Sequence, residues 1–447
     1  MTINTAWQIE IGAVATPTDF SSRVLSMSID QSVDVNVVGR GSCSITLLNK
    51  DGALTPNGGG TYSTIDWFAQ GVFVSSLTNI GAGDTKTAVF HGIIVDFDLV
   101  DDGVFSTVTI TAQDGLTIAG RTNSVTVGGG TVSYNTAAGY ALAEISPYPL
   151  KYPRLGQPSA SGSYNNLSGS NPDIYVNSQT FNSYADIYQT ALVPSVNDVF
   201  WATTITNTSG VDYRVQSCPV TMTRTDANAT TFEFVPSGTV TSTKLPFSNY
   251  GFSQQFNNET LITQANILGV FVGATTSTVN STDIDSYGNR TVSFTNTFVA
   301  TQQMSDSVAT NLINRYSDIR FTPSSLEITD KMVKANCADA AHSQWYNLLS
   351  IANGLWQKVL VTWAGSGIGE QTVACVVSGR SINVTPDQTV VSLSLKSGID
   401  NQSFILDNSN FGVLGGDPIT YDQSEISYNE AQWTYDDSYV EQGNRLG

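Results

Sequence analysis

The chain has 447 residues and a formal net charge of −19, and its charged fraction of 13 % is about half that of an average soluble domain. Hydrophobic residues make up 40 % of it, enough to bury a sizeable core, which excludes wholesale disorder. The acidity excludes an electrostatic grip on nucleic acid or anionic lipid as the main function.

Strand patterns dominate the first 115 residues. Cys43–Leu48 reads as a strand that ends at the turn Asn49-Lys50-Asp51-Gly52. Val89–Phe97 is almost continuously apolar. Val104–Ala112 alternates, with Val104, Val108, Ile110 and Ala112 on one face and threonines on the other; Asp101-Asp102-Gly103 between the two runs predicts a hairpin. The texture changes from about Asn123. Helices stopped by proline are predicted over Thr136–Ser146 and Ser183–Val193, the second opened by a capping box of Ser183 and Asp186, with a Ser/Gly/Asn/Pro-rich loop over Gln157–Asp173. Strands follow at Val199–Ile205 and Thr230–Val235.

Met304, Val308, Leu312 and Tyr316 recur at helical spacing, so Gln302–Tyr316 reads as an amphipathic helix, and a second helix is predicted over Asn336–Leu349. Thr372–Val377 and Val391–Leu395 alternate again as strands. Past Phe404-Ile405-Leu406-Asp407 the chain is acidic and aromatic. Tyr421, Tyr428, Trp433, Tyr435 and Tyr439 are many large aromatics for a solvated tail, so this segment reads as an arm that orders against another subunit or partner.

Gly92–Gly115 and Gly379–Gly398 share one plan: glycine, strand, polar turn, alternating strand, polar residue, glycine. The second is four residues shorter, and the difference is assigned to the turn. The echo implies two similar β domains. The expected fold is mainly β with a few helices: two small antiparallel β-barrel-like domains flanking an irregular α+β middle. The expected domains are 1–122, an inserted α+β domain 123–247, a second β domain 248–404 with a helical insertion at about 302–350, and the arm 405–447.

Little in the sequence carries chemistry. Cys43, Cys218, Cys337 and Cys375 form no close pair and read as free, mostly buried thiols. His91 falls on a strand face with Val89, Ile93, Val95 and Phe97, and His342 on a helix face with Ala338, Trp345 and Leu349; both read as satisfied core or interface histidines. Asp96, Asp98, Asp101 and Asp102 lack the glycine and glutamate positions of a calcium loop and read as a solvated hairpin. Asp283 and Asp285 are ambiguous. No phosphate-binding glycine loop, zinc-protease helix or serine elbow is present. The apolar window Ala265–Ala274 is about half the length that spans a bilayer, and the first residues lack a secretory signal, which predicts synthesis in a cytoplasm without membrane insertion. No catalytic, cofactor or metal constellation is expected.

Several segments together resemble the minor tail or baseplate-hub proteins of long-tailed bacteriophages. The carriers are Leu47–Pro56 with its Asn49-Lys50-Asp51-Gly52 turn, Gly71-Val72-Phe73-Val74, Val89–Asp96, and Val108–Leu116. Further on, Asp285-Ser286-Tyr287-Gly288-Asn289-Arg290 is similar to that family's turn before a helix, and Phe404–Asp407 with Phe411-Gly412-Val413-Leu414 to its closing segment. The match extends in order over almost the whole chain, while 123–244 matches only in general plan.

The resemblance implies a structural virion protein, made in the bacterial host cytoplasm, and no enzyme. It implies a homotrimer whose six barrels form a ring, joining a sixfold tail tube to a threefold tip. Its neighbours would be distal tail or tube proteins above and tip or fibre proteins below. DNA would pass through the lumen without specific binding, and no cofactor is implied. Asn49, Asp51, Gly52, Tyr287, Gly288 and Arg290 are then fold-defining turn residues, and the arm aromatics are interface residues. Two other readings stay open: a sixfold ring of single-barrel subunits, and a tail-borne protein that binds or degrades host glycans.

Overall fold

A computed structural model describes residues 5–13, 16–33, 39–78, 85–101, 103, 105–115, 125–127, 130–133, 155–156, 173–176, 179–183, 186, 198–207, 210–219, 232–237, 244–249, 252–256, 261–269, 277–280, 288–297, 302–316, 321–337, 339–351, 355–365 and 368–397. The predicted helix at Thr136–Ser146, nearly all of the Gln157–Asp173 loop, most of the Ser183–Val193 helix, Asp283, Asp285, Tyr287 and the C-terminal arm lie outside the described residues.

Alternation of β-branched and hydroxyl residues builds the first half. Its strands are β1 (Ala6–Ala13), β2 (Thr16–Asp19), β3 (Val24–Ser32), β4 (Gly41–Leu48), β5 (Gly71–Thr78), β6 (Thr85–Asp101) and β7 (Ser106–Gln113). They lie antiparallel in the order β3-β4-β7-β6-β5-β1-β2. Cys43, Ile45 and Leu47 of β4 and Val108, Ile110 and Ala112 of β7 are buried, and the Ser and Thr between them face outward. The predicted hairpin is present between β6 and β7, with Gly103 at φ +81°. After β2, the Phe20 N–H donates to the Ile9 carbonyl at 2.8 Å and the Ile9 N–H to the Ser21 hydroxyl at 2.9 Å, which rolls the sheet around Phe20 and Trp67.

Between the halves, β8 (Val125–Val127), β9 (Gly130–Ser133), β10 (Leu155–Gly156), β11 (Asp173–Val176), β12 (Gln179–Phe181), β13 (Asp198–Asn207) and β14 (Gly210–Pro219) form small sheets of two or three strands. The Asp186 N–H donates to the Ser183 hydroxyl at 3.2 Å, as the capping box requires.

The second half comprises β15 (Phe232–Pro236), β16 (Leu245–Phe247), β17 (Ser253–Phe256), β18 (Gln264–Gly269), β19 (Ser277–Asn280), β20 (Thr291–Thr297), α1 (Gln302–Tyr316), β21 (Phe321–Thr329), α2 (Asp330–Asn336), α3 (Asp339–Leu349), β22 (Lys358–Gly365), β23 (Ile368–Val384) and β24 (Thr389–Ser397). Seven of these strands lie in the order β17-β21-β24-β23-β22-β15-β16. The Ser248 N–H, just past β16, donates to the Glu327 carbonyl of β21 at 2.7 Å and draws the ends of this arc together. Two of its strands come from 232–247, upstream of the boundary expected at 248. In β18–β20 and α1, Ala265 and Ile267 pack with Val308, Ala309, Leu312, Ile313 and Trp356 as a second core.

The two halves repeat one plan: the seven strands appear in the same chain order and the same spatial order. Two pairings differ, since β1 runs antiparallel to β5 and to β2 whereas β15 runs parallel to β22 and to β16. The long strands β6 and β23 each have 17 residues. Asp101–Ser106 and Val384–Thr389 close loops of equal length. Each strand then carries a bulge starting seven residues before that closing pair, at Ile94/Asp96 and at Val377/Gly379. The echo is therefore real, but the turns are equal and the four-residue difference assigned to them is wrong. Counted from the turns, Gly379 corresponds to Asp96 and not to Gly92.

The helix predicted over Asn336–Leu349 starts only at Asp339. Thr329 caps α2 by accepting from the Met332 N–H, and Cys337 ends it in an extended conformation, so Cys337 and His342 share no helix.

Candidate assembly site

The halves are joined by a strand ladder. Met27–Ser32 of β3 pairs antiparallel with Gly379–Val384 of β23, making one 14-stranded sheet. Across this seam Ile29 and Ile382 are fully buried, in a core cluster that runs through both halves. Other links cross it. The Val33 N–H donates to the Ser378 carbonyl and the Ile351 N–H to the Ala88 carbonyl, at 2.8 and 2.7 Å. The Trp7 and Trp345 indoles donate to the Thr389 and Thr5 hydroxyls, at 3.1 and 3.0 Å.

At the centre lies Arg380, 3 % exposed. Its guanidinium donates to the Gln31 side-chain oxygen through Nε at 3.2 Å and through Nη2, and Nη1 donates to the Leu348 and Ser350 carbonyls at 2.6 and 3.0 Å. The planar fork thus ties β3, β23 and the end of α3 together. Beside it the Gly41 N–H donates to the buried Asp114 carboxylate. A Cβ on Gly41 would stand 3.0 Å from that carboxylate oxygen and 3.3 Å from Gln31 Cγ, so glycine permits the close approach. Neither Arg380 nor Gln31 carries a motif, and they are separated by 349 residues.

The turn residues stand elsewhere. Asn49 is fully buried. Its side chain accepts from the Leu54 N–H at 2.8 Å and donates to the Thr55 and Ser106 hydroxyls at 3.0 and 3.1 Å. Asp51 makes a two-pronged ion pair with Arg23, which holds its carboxyl well below the usual carboxylate range. Gly52 sits at φ +67°. Around the second turn, Gly288 has φ +75°. Thr263 donates to the Gly288 carbonyl and accepts from the Arg290 N–H, both at 2.8 Å. Asn49, Asp51 and Gly52 belong to the first half and Gly288 and Arg290 to the small β18–β20 sheet.

His91 is buried but not on the expected face. Bulges at Val74/Ser75 and Ile94/Asp96 re-phase β6, so Val89 and Phe97 turn to the core cluster while His91 does not. Its ring meets Phe73 edge-on at 5.2 Å, its Nδ1 has no hydrogen-bond partner among the described residues, and burial lowers its pKa to about 4. Cys43 and Cys375 are buried free thiols, and burial pushes Cys375 up to about 12. Among the described residues no group of three or more His, Cys, Asp and Glu is placed to hold a metal ion, and no helix is long and apolar enough to cross a membrane. Asp96, Asp98 and Asp101 are solvent-exposed along β6.

No protein-family model matches the sequence, and no curated protein matches it significantly. Solved structures do match. The tail protein from Neisseria meningitidis MC58 aligns with a TM-score of 0.51 and 12 % identity, over 88 % of this chain and 97 % of that one. The 43 kDa tail protein of prophage MuSo2 from Shewanella oneidensis aligns at 0.48 and 11 %, over 87 % and 98 %. The prophage tail protein gp18 from Listeria monocytogenes EGD-e aligns at 0.42 and 11 %, over 90 % and 96 %. The chain has the fold of a tail protein, as the Neisseria structure establishes and as the order of its sequence motifs implies.

Proposed function

We propose that this chain is a structural subunit of a bacteriophage tail, a hub at the tail tip or baseplate rather than an enzyme. Its sheet halves act as two domains, one on either side of the residues inserted after 122. Three copies set six sheet units in a ring that joins a sixfold tube above to a threefold tip below. The observation that carries this reading is the duplication: the same seven-strand order twice, with bulges at matching places. A chain with two like units presents twice as many units as copies, which is what a threefold-to-sixfold adaptor needs.

Distal tail or tube proteins, and tip or fibre proteins, are its neighbours in the virion, and the arm bearing Tyr421, Tyr428, Trp433, Tyr435 and Tyr439 docks on one of them. The Asn49–Gly52 and Gly288–Arg290 turns serve the fold. The formal charge of −19 per chain suits a lumen past which DNA slides without being held. The test is the mass of the protein in solution and in tails. Three copies, or a multiple of three, is the expected result. A folded chain that stays monomeric at all concentrations, or assembles in numbers not divisible by three, would overturn the proposal.

A further inference from the structure

The duplication that supports the ring also indicates which surface joins one copy to the next. Within the chain, β23 uses its two edges unequally. One edge pairs with β24 along Cys375–Val384, and the other pairs first with β22 and then, beyond the bulge, with β3 over Gly379–Val384. In the first half, β6 pairs with β7 on one edge and with β5 on the other as far as Ile93. Beyond its bulge, Asp96–Asp101 has no strand beside it on the β5 edge among the described residues. Counted from the hairpin turns, Asp96–Asp101 is the counterpart of Gly379–Val384, the segment that takes β3.

The inward side chains record the difference. Arg380 and Ile382, covered by β3, are 3 % and 0 % exposed, whereas their counterparts Phe97 and Leu99 are only partly buried. An open strand edge of this kind is a template for another strand. Here Asp96, Asp98 and Asp101 are exposed along it and discourage indiscriminate pairing.

The second half supplies the matching strand. β17 pairs with β21 on one edge and with no strand on the other among the described residues. Its place corresponds to that of β3. Ser325 opposite Ser394 matches Ser44 opposite Thr111, so Pro323 matches Ser42, and their partners Gln254 and Asp30 correspond. Since Asp30 pairs with Ser381, whose counterpart is Asp98, the implied neighbours are Asp98 and Gln254.

We infer that Asp96–Asp101 of one copy pairs antiparallel with Ser253–Phe256 of a second copy, repeating between chains the β3–β23 seam found within each. The contact is head-to-tail, so it propagates around a ring until closure. Ser253, Gln254 and Gln255 add no charge to a seam that already carries aspartates. This inference rests on the ring assembly proposed above, and its test separates the two.

Full-length Asp98→Cys and Gln254→Cys variants are prepared separately, checked for native mass and circular dichroism, and oxidised alone and after mixing. Covalent dimers are expected only in the mixture, because a head-to-tail contact brings position 98 of one chain to position 254 of another. In the wild-type assembly, the amides of Asp96–Asp101 should exchange about ten-fold more slowly than in the diluted monomer. A threefold mass with no cross-link in the mixture and no slowed exchange overturns the edge pairing and leaves the ring standing. Dimers from Asp98→Cys alone overturn it in favour of a two-fold β6–β6 contact. A monomeric mass overturns the ring itself, and this inference with it.

Discussion

Replacing Arg380 with methionine tests whether the seam is held by its buried fork. The substitution roughly preserves length and apolar stem but removes every donor. Gln31 Oε1 and the Leu348 and Ser350 carbonyls then lose the bonds that Arg380 supplied. A buried acceptor left without a donor costs about 1–3 kcal/mol. Against this, methionine spares the desolvation of a guanidinium that is 3 % exposed, an effect that offsets part of the loss. The net expectation is a destabilisation of about 3 kcal/mol. Arg380→Lys should recover only part of it, because an ammonium is a point donor and cannot span Gln31 and two carbonyls in one plane. Urea unfolding measures the stability, and hydrogen exchange at Met27–Ser32 localises the effect to the seam. If Arg380→Met unfolds within about 0.5 kcal/mol of the native chain, with unchanged protection of β3, the reasoning from the buried fork is wrong.

His91 makes stability pH-dependent. Burial lowers its pKa to about 4, so the folded state keeps it neutral while the unfolded chain protonates near its ordinary value; stability is full above about pH 6.5 and falls by about 3 kcal/mol as pH drops to 4. His91→Leu should flatten this part of the curve in denaturant titrations, and equal slopes for both proteins between pH 6.5 and 4.5 would refute the assignment. Asn49→Ala removes three side-chain hydrogen bonds around a buried turn and should cost about 3 kcal/mol in chemical unfolding, whereas a change under 0.5 kcal/mol would show the turn holds without them. A methyl at Gly92 would lie 2.6 Å from both the Gln113 carbonyl oxygen and the Phe90 ring, while at Gly52 it meets open space. Gly92→Ala should therefore destabilise by several kcal/mol and Gly52→Ala, strained only by its φ of +67°, by about 1 kcal/mol; thermal melts in the reverse order would contradict the geometry.

What could be read from the chain alone was whatever depends on neighbours a few residues apart. Strand patterns located β4, β7, β13 and β24, and a helical period placed α1 between Gln302 and Tyr316. Glycine and asparagine marked the Asn49–Gly52 turn, and the order of such motifs pointed to the tail-protein fold. Local spacing misplaced His91, because two bulges each insert a residue and re-phase the strand, and no side-chain pattern announces a bulge. It ran one helix through Cys337, where the chain turns extended between α2 and α3. It also set the echo by matching glycines when the hairpin turns were the true reference points. Only the tertiary structure decided that β3 lies beside β23 and that Arg380 closes over Gln31. Those contacts depend on which backbone edges remain open once the strands of each half have paired. That is a property of the folded sheet, with no counterpart in the spacing of residues along the chain.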